Sequence, residues 1–255
     1  SAGTFLQRLR RLSYPWAASV VLQSQDSLAA FQQMVPRVKN LDVVPNPLPP
    51  DLRDIELGQA PAVPTSNRRL LMGMGRLVPF KRFDALIQAF AALASDYPDW
   101  DLAIWGEGPQ RDELIQQIQE TGLANRISLP GRTEQPWQEM VKADIFVLTS
   151  QVEGFPNVLL EAMALGRACV TVDCPSGPRE LSQDGKYALL TPLGDQPALC
   201  RAIAQLMDDS TLREVMGRHA AASVEERYGL SEILLRWDAV IAKVQPPVPE
   251  EQAVV

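Results

Sequence analysis

From Arg68 to Thr191 the chain repeats one short phrase. A run rich in Val, Ile and Leu ends in a turn, and a segment with apolar residues at helical spacing follows. The runs are RLLMGMG (69–75), DLAIWG (101–106), RISLPG (126–131), DIFVLTS (144–150), ACVTVD (168–173) and YALLT (187–191). Near-continuous apolar strands of this kind are buried on both faces, and helices between them make each strand run parallel to the last. The segments FDALIQAFAALASD, PQRDELIQQIQETG, PWQEMVKA, VLLEAMALG and PRELSQDG read as those helices. Three more helical segments, 195–208, 210–226 and 231–244, follow the last strand. The pattern predicts an α/β fold with a doubly wound, Rossmann-like parallel sheet.

The first 49 residues break the phrase. ASVVLQ (18–23) reads as a strand, SQDSLAAFQQM as a helix capped by Ser24 or Asp26, and NLDVV as a second strand before a proline-rich turn. They look like the trailing segment of another, mostly missing domain. The expected organisation is therefore that segment at 1–49, a linker or loop at 50–67 and a doubly wound body at 68–228. A closing helix at 229–245 and a frayed tail at 246–255 complete it.

Charge and composition narrow the function. The 255 residues carry a net charge of −7 with no basic stripe, which disfavours nucleic acid as a partner. No apolar run reaches the roughly 20 residues of a membrane helix. Arg8, Arg10 and Arg11 near Trp16 could touch an anionic membrane surface, although a solvated helix face is the plainer reading. Cys169, Cys174 and Cys200 show no metal spacing and read as reduced thiols of a cytoplasmic protein. The only histidine, His219, reads as a surface helix residue.

In a doubly wound sheet, ligands bind beyond the carboxyl ends of the strands, so chemistry should sit there. After the first body strand, Gly73 and Gly75 permit close backbone approach, and Arg76 and Lys81 flank the turn into a helix. Two cations beside a helix start suit a pyrophosphate, and equally suit a basic turn that compensates nearby acids. Gly106 and Gly108 form a second turn, too short of glycines for a dinucleotide fingerprint. Gly131 and Arg132 end the third strand, where backbone groups could read a flat base.

The fourth strand runs into EGFPNVLLEAMALG, residues 153–166. Gly154, Phe155, Pro156 and Asn157 make the turn, and from Val158 to Leu165 every residue except Glu161 is apolar or Ala. A helix apolar on all sides is buried. Glu161, expected near the positive helix end, is then a buried anion in need of hydrogen-bond donors. The vicinal hydroxyls of a ribose would serve, and Glu153 could accept from a hexose. A capping bond or an ion pair to Arg167 satisfies the same residues equally well.

Taken in order, GRLVPFKRFDALIQAF, IWGEGP, LPGR and EGFPNVLLEAMALG resemble the C-terminal, donor-binding half of a GT-B-fold retaining glycosyltransferase of family 4. The resemblance spans roughly residues 68–192, and RYGLSEILLRWDAVI resembles the family's last helix, which crosses back to the N-terminal domain. It implies that Arg76, Lys81 and Glu153 are the catalytic positions. Arg76 and Lys81 would neutralise the departing diphosphate, and Glu153 would bind the donor's hexose hydroxyls. It further implies that Glu161 holds the ribose, with Gly75, Gly106, Gly131, Arg132, Gly154, Phe155, Pro156, Asn157 and Val158 lining the donor.

The implied donor is a nucleotide-diphosphate sugar, UDP-hexose or UDP-N-acetylhexosamine, and the implied acceptor a glycan or lipid-linked molecule. CPSGPREL (174–181) resembles variants from surface-polysaccharide synthesis. No metal or other cofactor is implied, since Arg76 and Lys81 can do the work of a cation. The expected location is the cytoplasm, with the inner membrane face as a further candidate. The family's acceptor site and catalytic His lie in the N-terminal domain, so this chain alone is expected to bind a donor and transfer it poorly. Two other readings fit: a glycogen- or starch-synthase-like enzyme or sugar-nucleotide epimerase, and a non-catalytic nucleotide-sugar-binding module.

Overall fold

The computed structural model describes residues 2–55 and 68–245. The chain opens with α1 (Ala2–Ser13), β1 (Val20–Leu22), α2 (Asp26–Met34) and β2 (Leu41–Val43). The strands β1 and β2 pair in parallel as a two-stranded sheet of their own. Neither Ser24 nor Asp26 caps α2. Gln25 takes the cap position without a side-chain bond, and its backbone N–H donates to Glu180 Oε2 at 2.9 Å. Helix α1 exposes Phe5, Leu6, Leu9 and Leu12 alongside its arginines, so its surface is amphipathic rather than simply solvated.

The body alternates as the sequence pattern predicts. Its elements are β3 (Arg69–Met74), α3 (Phe83–Leu93), β4 (Trp100–Trp105), α4 (Arg111–Glu120), β5 (Ile127–Gly131), α5 (Pro136–Met140) and β6 (Ile145–Leu148). Then come α6 (Asn157–Ala164), β7 (Ala168–Asp173), α7 (Pro178–Ser182), β8 (Leu189–Pro192), α8 (Gln196–Asp208), α9 (Ser210–Tyr228) and α10 (Leu230–Val244). The six strands form one parallel sheet in the order β5-β4-β3-β6-β7-β8.

Side-chain alternation along each strand feeds two cores. Leu71, Ile145, Val147 and Val170 point to the face covered by Phe83, Phe90, Leu114, Ile203 and Leu206. Met72, Phe146, Leu148 and Cys169 point to the opposite face, under Met140, Leu160, Met163, Leu181, Val224 and Tyr228. Both faces being covered, β6 is buried at every residue, which explains why its sequence shows no polar alternation.

The expected linker starts later than position 50. Residues Pro50–Asp54 form a 3₁₀ turn, and buried Leu48 and Leu52 join the second core beside Phe146 and Tyr228. Residues 56–67 and the predicted tail at 246–255 lie outside the described residues. Helix α10 buries Ile233 and Val240 against Val44, just past β2, and Val21 of β1, and Lys243 pairs with Asp42 of β2. His219 is exposed on α9, and all three cysteines are free thiols. Among the described residues, no helix is long and apolar enough to cross a membrane.

Helix α8 is held at its start by Asp195, whose carboxylate accepts from Ala198 N at 2.8 Å. Asp195→Ala should cost about 1 kcal/mol, the usual value of a lost cap. Chemical denaturation should show a lower midpoint with an unchanged slope. An unchanged midpoint would mean that packing of Leu199 and Ile203 alone sets this helix.

Candidate donor-nucleotide site

The strand order changes direction at β3. Strands β4 and β5 extend to one side of it, and β6, β7 and β8 to the other. Connections leaving β3 and β6 therefore diverge and open a crevice at the carboxyl ends of these two strands. Two loops border it: Gly75 to Arg82 after β3, and Thr149 to Pro156 after β6.

These loops are tied together. Thr149 Oγ1 donates to Lys81 O at 2.8 Å, and Gln151 N donates to Phe80 O at 2.7 Å. Their side chains then meet: Lys81 Nζ lies 2.7 Å from Glu153 Oε1, with only 16% and 8% of the two side chains exposed. Glu153 Oε2 has no partner among the described residues. Arg76 is exposed, and its side chain has no ion-pair or hydrogen-bond partner among the described residues. The compensation reading therefore holds for Lys81 only. Arg76 leaves an uncompensated cation beside the crevice.

Toward β5 the crevice deepens into a cavity of about 270 Å³. Gly75, Arg76, Gly106, Gly131 and Arg132, all singled out from sequence, line it with Trp105 and Pro136. The glycines are there because the three strand ends converge. Gly106 N donates to Gly131 O at 2.8 Å, and Gly75 N to Trp105 O at 2.9 Å. At Gly106, with φ of +141°, a Cβ would sit 1.8 Å from Gly75 O. No side chain fits there, so the turn is a packing requirement as well as a cavity wall.

On the other side, α6 starts at Asn157 after the Glu153–Pro156 turn. Phe155 is buried and tilts against Tyr228 with ring centroids 5.8 Å apart. Gly154 is exposed, and Val158 is half-buried beside the second core. The turn is braced from the loop after β7: Glu153 N donates to Pro175 O at 3.2 Å, and Gly177 abuts Pro156.

Glu161 departs from its expected setting in two ways. It lies in the second turn of α6, where the helix end contributes little of the stabilisation expected for its anion. Burial pushes its carboxyl above the ordinary range, against the opposing effect of a hydrogen bond from Trp137. Trp137 Nε1 donates to Glu161 Oε2 at 3.1 Å. The alternative ion pair is absent: Arg167 donates to the carbonyls of Leu165, Val141 and Ala143. Sequence reasoning missed Trp137. The available signal was its place one residue after Pro136, at the start of the short helix that follows LPGR.

The arrangement thus offers a mostly apolar cavity with backbone walls, an unpaired cation in its lining, a lysine–glutamate pair at the switch point and a buried carboxylate with one donor. Its parts suit a flat ring, an anion and hydroxyl donors.

Comparison with known proteins agrees with this architecture. The family model described as "Glycosyl transferases group 1" matches residues 59–223. An exopolysaccharide phosphotransferase of Streptomyces coelicolor is 33% identical over 89% of the chain, which covers 23% of that protein. The N-acetylgalactosamine-N,N'-diacetylbacillosaminyl-diphospho-undecaprenol 4-alpha-N-acetylgalactosaminyltransferase of Campylobacter jejuni is 34% identical over 57% of the chain and 39% of its own length. The crystal structure of HepE from Anabaena in complex with UDP superposes with a TM-score of 0.80 at 25% identity, covering 95% of the chain and 69% of that protein. The chain spans between 23% and 49% of the length of the curated relatives it matches.

Proposed function

The chain belongs to the family of group 1 glycosyl transferases, and from that premise we propose that it carries the donor site of a retaining hexosyltransferase. The donor is a nucleotide-diphosphate sugar, with UDP as carrier. The sugar is a hexose or N-acetylhexosamine, and the acceptor a glycan or lipid-linked molecule of a surface polysaccharide. The observation that carries this reading is the backbone-walled cavity at the carboxyl ends of β3, β4 and β5, with the unpaired Arg76 in its lining. The Lys81–Glu153 pair in the adjoining loops and the buried Glu161, held by Trp137 next to the cavity-lining Pro136, support it. The complex of HepE with UDP supports the choice of carrier. The Campylobacter transferase, named for a lipid-linked acceptor, supports the choice of acceptor class.

In this reading the base enters the cavity between Gly75, Gly106, Gly131 and Arg132. Glu161 accepts the ribose hydroxyls. Arg76 and Lys81 face the diphosphate and stabilise the charge that grows on it as the glycosidic bond breaks. Lys81 keeps one donor on Glu153 and has others to offer, so the pair holds Glu153 in place while its free Oε2 accepts from the sugar. Residues 1–49 and α10 are the near edge of a second Rossmann-like domain that brings the acceptor, and the exposed apolar side of α1 suits coverage by that domain. The setting we assign is the cytoplasm, at the inner membrane face.

Titration with UDP and uridine tests the diphosphate assignment. Arg76 is exposed and unpaired, so its share of binding is screened as the Debye length falls from ~10 Å at 0.1 M salt to ~3 Å at 1 M. UDP affinity should fall several-fold over that range, and the slope should flatten in Arg76→Met. Uridine should bind more weakly and without the slope. Equal affinities for uridine and UDP would refute the role of Arg76 and Lys81. A parallel screen of UDP- and ADP-glucose separates this reading from a synthase-like enzyme.

A further inference from the structure

A chain of three side-chain amides links the first sheet to the donor loop. Gln23 Nε2, just past β1, donates to Asn46 Oδ1 at 2.9 Å. Asn46 Nδ2, in the turn after β2, donates to Asn157 Oδ1 at 2.9 Å. Asn157 is the first residue of α6 and directly follows the turn that begins at Glu153. Its own Nδ2 has no partner among the described residues.

The direction of this chain matters. An amide offers an acceptor and donors, and which of them faces a ligand depends on which is already engaged. Gln23 fixes Asn46 with its oxygen toward β1. Asn46 therefore presents its NH₂ to Asn157 and takes up the Asn157 oxygen. What remains at the start of α6 is the pair of N–H donors on Asn157 Nδ2, because the backbone N–H groups of Asn157, Leu159 and Leu160 are already engaged by Phe155 O and Pro156 O. That pair favours an acceptor-rich, negatively charged ligand.

We propose that Gln23, Asn46 and Asn157 form an amide relay that holds the Asn157 side chain as a hydrogen-bond donor toward the phosphate or sugar oxygens of the bound donor. The inference rests on the donor-site reading above and adds a positioning function that spans both sheets. Gln23 and Asn46 never touch the ligand. They set the polarity of the residue that does. Two other bridges accompany the relay, Gln25 N to Glu180 Oε2 at 2.9 Å and Ser27 Oγ to Ser176 Oγ at 3.4 Å. The relay thus forms where the first sheet meets the loops after β6 and β7, and a shift of that sheet would release Asn157.

The experiment is a double-mutant cycle read by calorimetric titration of UDP and UDP-glucose. Asn46→Ala frees Asn157 to rotate and should weaken binding a few-fold. Asn46→Asp should be worse, by about tenfold or more, the scale of losing a hydrogen bond to a charged acceptor. A carboxylate at position 46 can only accept. It draws the Asn157 NH₂ to itself and turns the Asn157 oxygen onto the phosphates. In an Asn157→Ala background this reversal has nothing to act on, so the extra loss from Asn46→Asp should shrink to the small effect of a more distant charge. Thermal melts of each variant should stay within a few degrees of the parent.

A loss from Asn46→Asp that is the same with and without Asn157 would overturn the relay, because added charge alone would then explain it. So would Asn46→Asp binding as tightly as the parent. If the parent chain binds neither UDP nor UDP-glucose, the donor-site reading fails first and the relay falls with it.

Discussion

Glu161→Ala should lower the affinity for UDP by at least about 100-fold. Two hydrogen bonds from ribose hydroxyls to a charged acceptor are worth about 1.5 kcal/mol or more each, or about 3 kcal/mol together. The structure adds a signature that a general loss of folding would not give. Burial disfavours the ionised form of Glu161, whose carboxyl is raised above its ordinary value. Between the ordinary and the raised value, the folded chain binds a proton that the unfolded chain has released. Stability of the unliganded chain therefore falls as pH rises through that window. UDP binding needs the carboxylate, so its affinity should rise with pH through the same window. Glu161→Gln keeps the shape and the Trp137 partner but removes the charge. It should raise the melting temperature at neutral pH, flatten the pH dependence of stability and weaken UDP. A Gln variant that melts lower and binds UDP normally would remove Glu161 from the site.

The second large effect belongs to Lys81. Its ammonium faces a Glu153 side chain that is only 8% exposed. Lys81→Met leaves that carboxylate without its cation, and breaking such a pair costs about 3 kcal/mol, the low end of the range because Lys81 keeps some solvent contact. Lys81→Met combined with Glu153→Gln should recover most of that stability, since no charge is then stranded. Neither variant should recover the donor affinity lost with Lys81, and transfer by the whole enzyme should be lost in both. Arg76→Met is the control. Its parent side chain is exposed and unpaired, so stability should change by less than about 0.5 kcal/mol while UDP affinity falls. Equal stability of Lys81→Met and the parent chain would show that the pair does not organise the two loops.

The body of the fold was legible because its strands are apolar on both faces and helices punctuate them. Leu71 against Met72, or Ile145 against Phe146, feed opposite cores, and only a doubly covered sheet accepts that pattern. The motif residues at strand ends were legible for the same reason: the carboxyl ends are where such a sheet is open. The strand order was not. That β6 lies beside β3, bringing Glu153 onto Lys81, depends on a choice of side that no local signal encodes.

Glu161 was found as an oddity in an apolar helix, but its environment was misjudged. Helix polarity matters within the first turn, and Glu161 sits beyond it, where desolvation outweighs the field. Trp137 went unnoticed because an indole in a short helix is an ordinary core residue until its N–H is seen aimed at a carboxylate. The linker boundary was misplaced at 50 because Leu48 and Leu52 are too few to show a period. The amides of Gln23, Asn46 and Asn157 come from three distant segments, and each alone reads as a polar turn residue.

The most direct test of the central claim is a crystal structure of the chain grown with saturating UDP. The uracil should lie in the cavity bounded by Gly75, Trp105, Gly131 and Pro136, the ribose hydroxyls on Glu161, and the diphosphate between Arg76 and Lys81. A nucleotide bound away from the carboxyl ends of β3 and β6, or an empty crevice at saturating ligand, would contradict it.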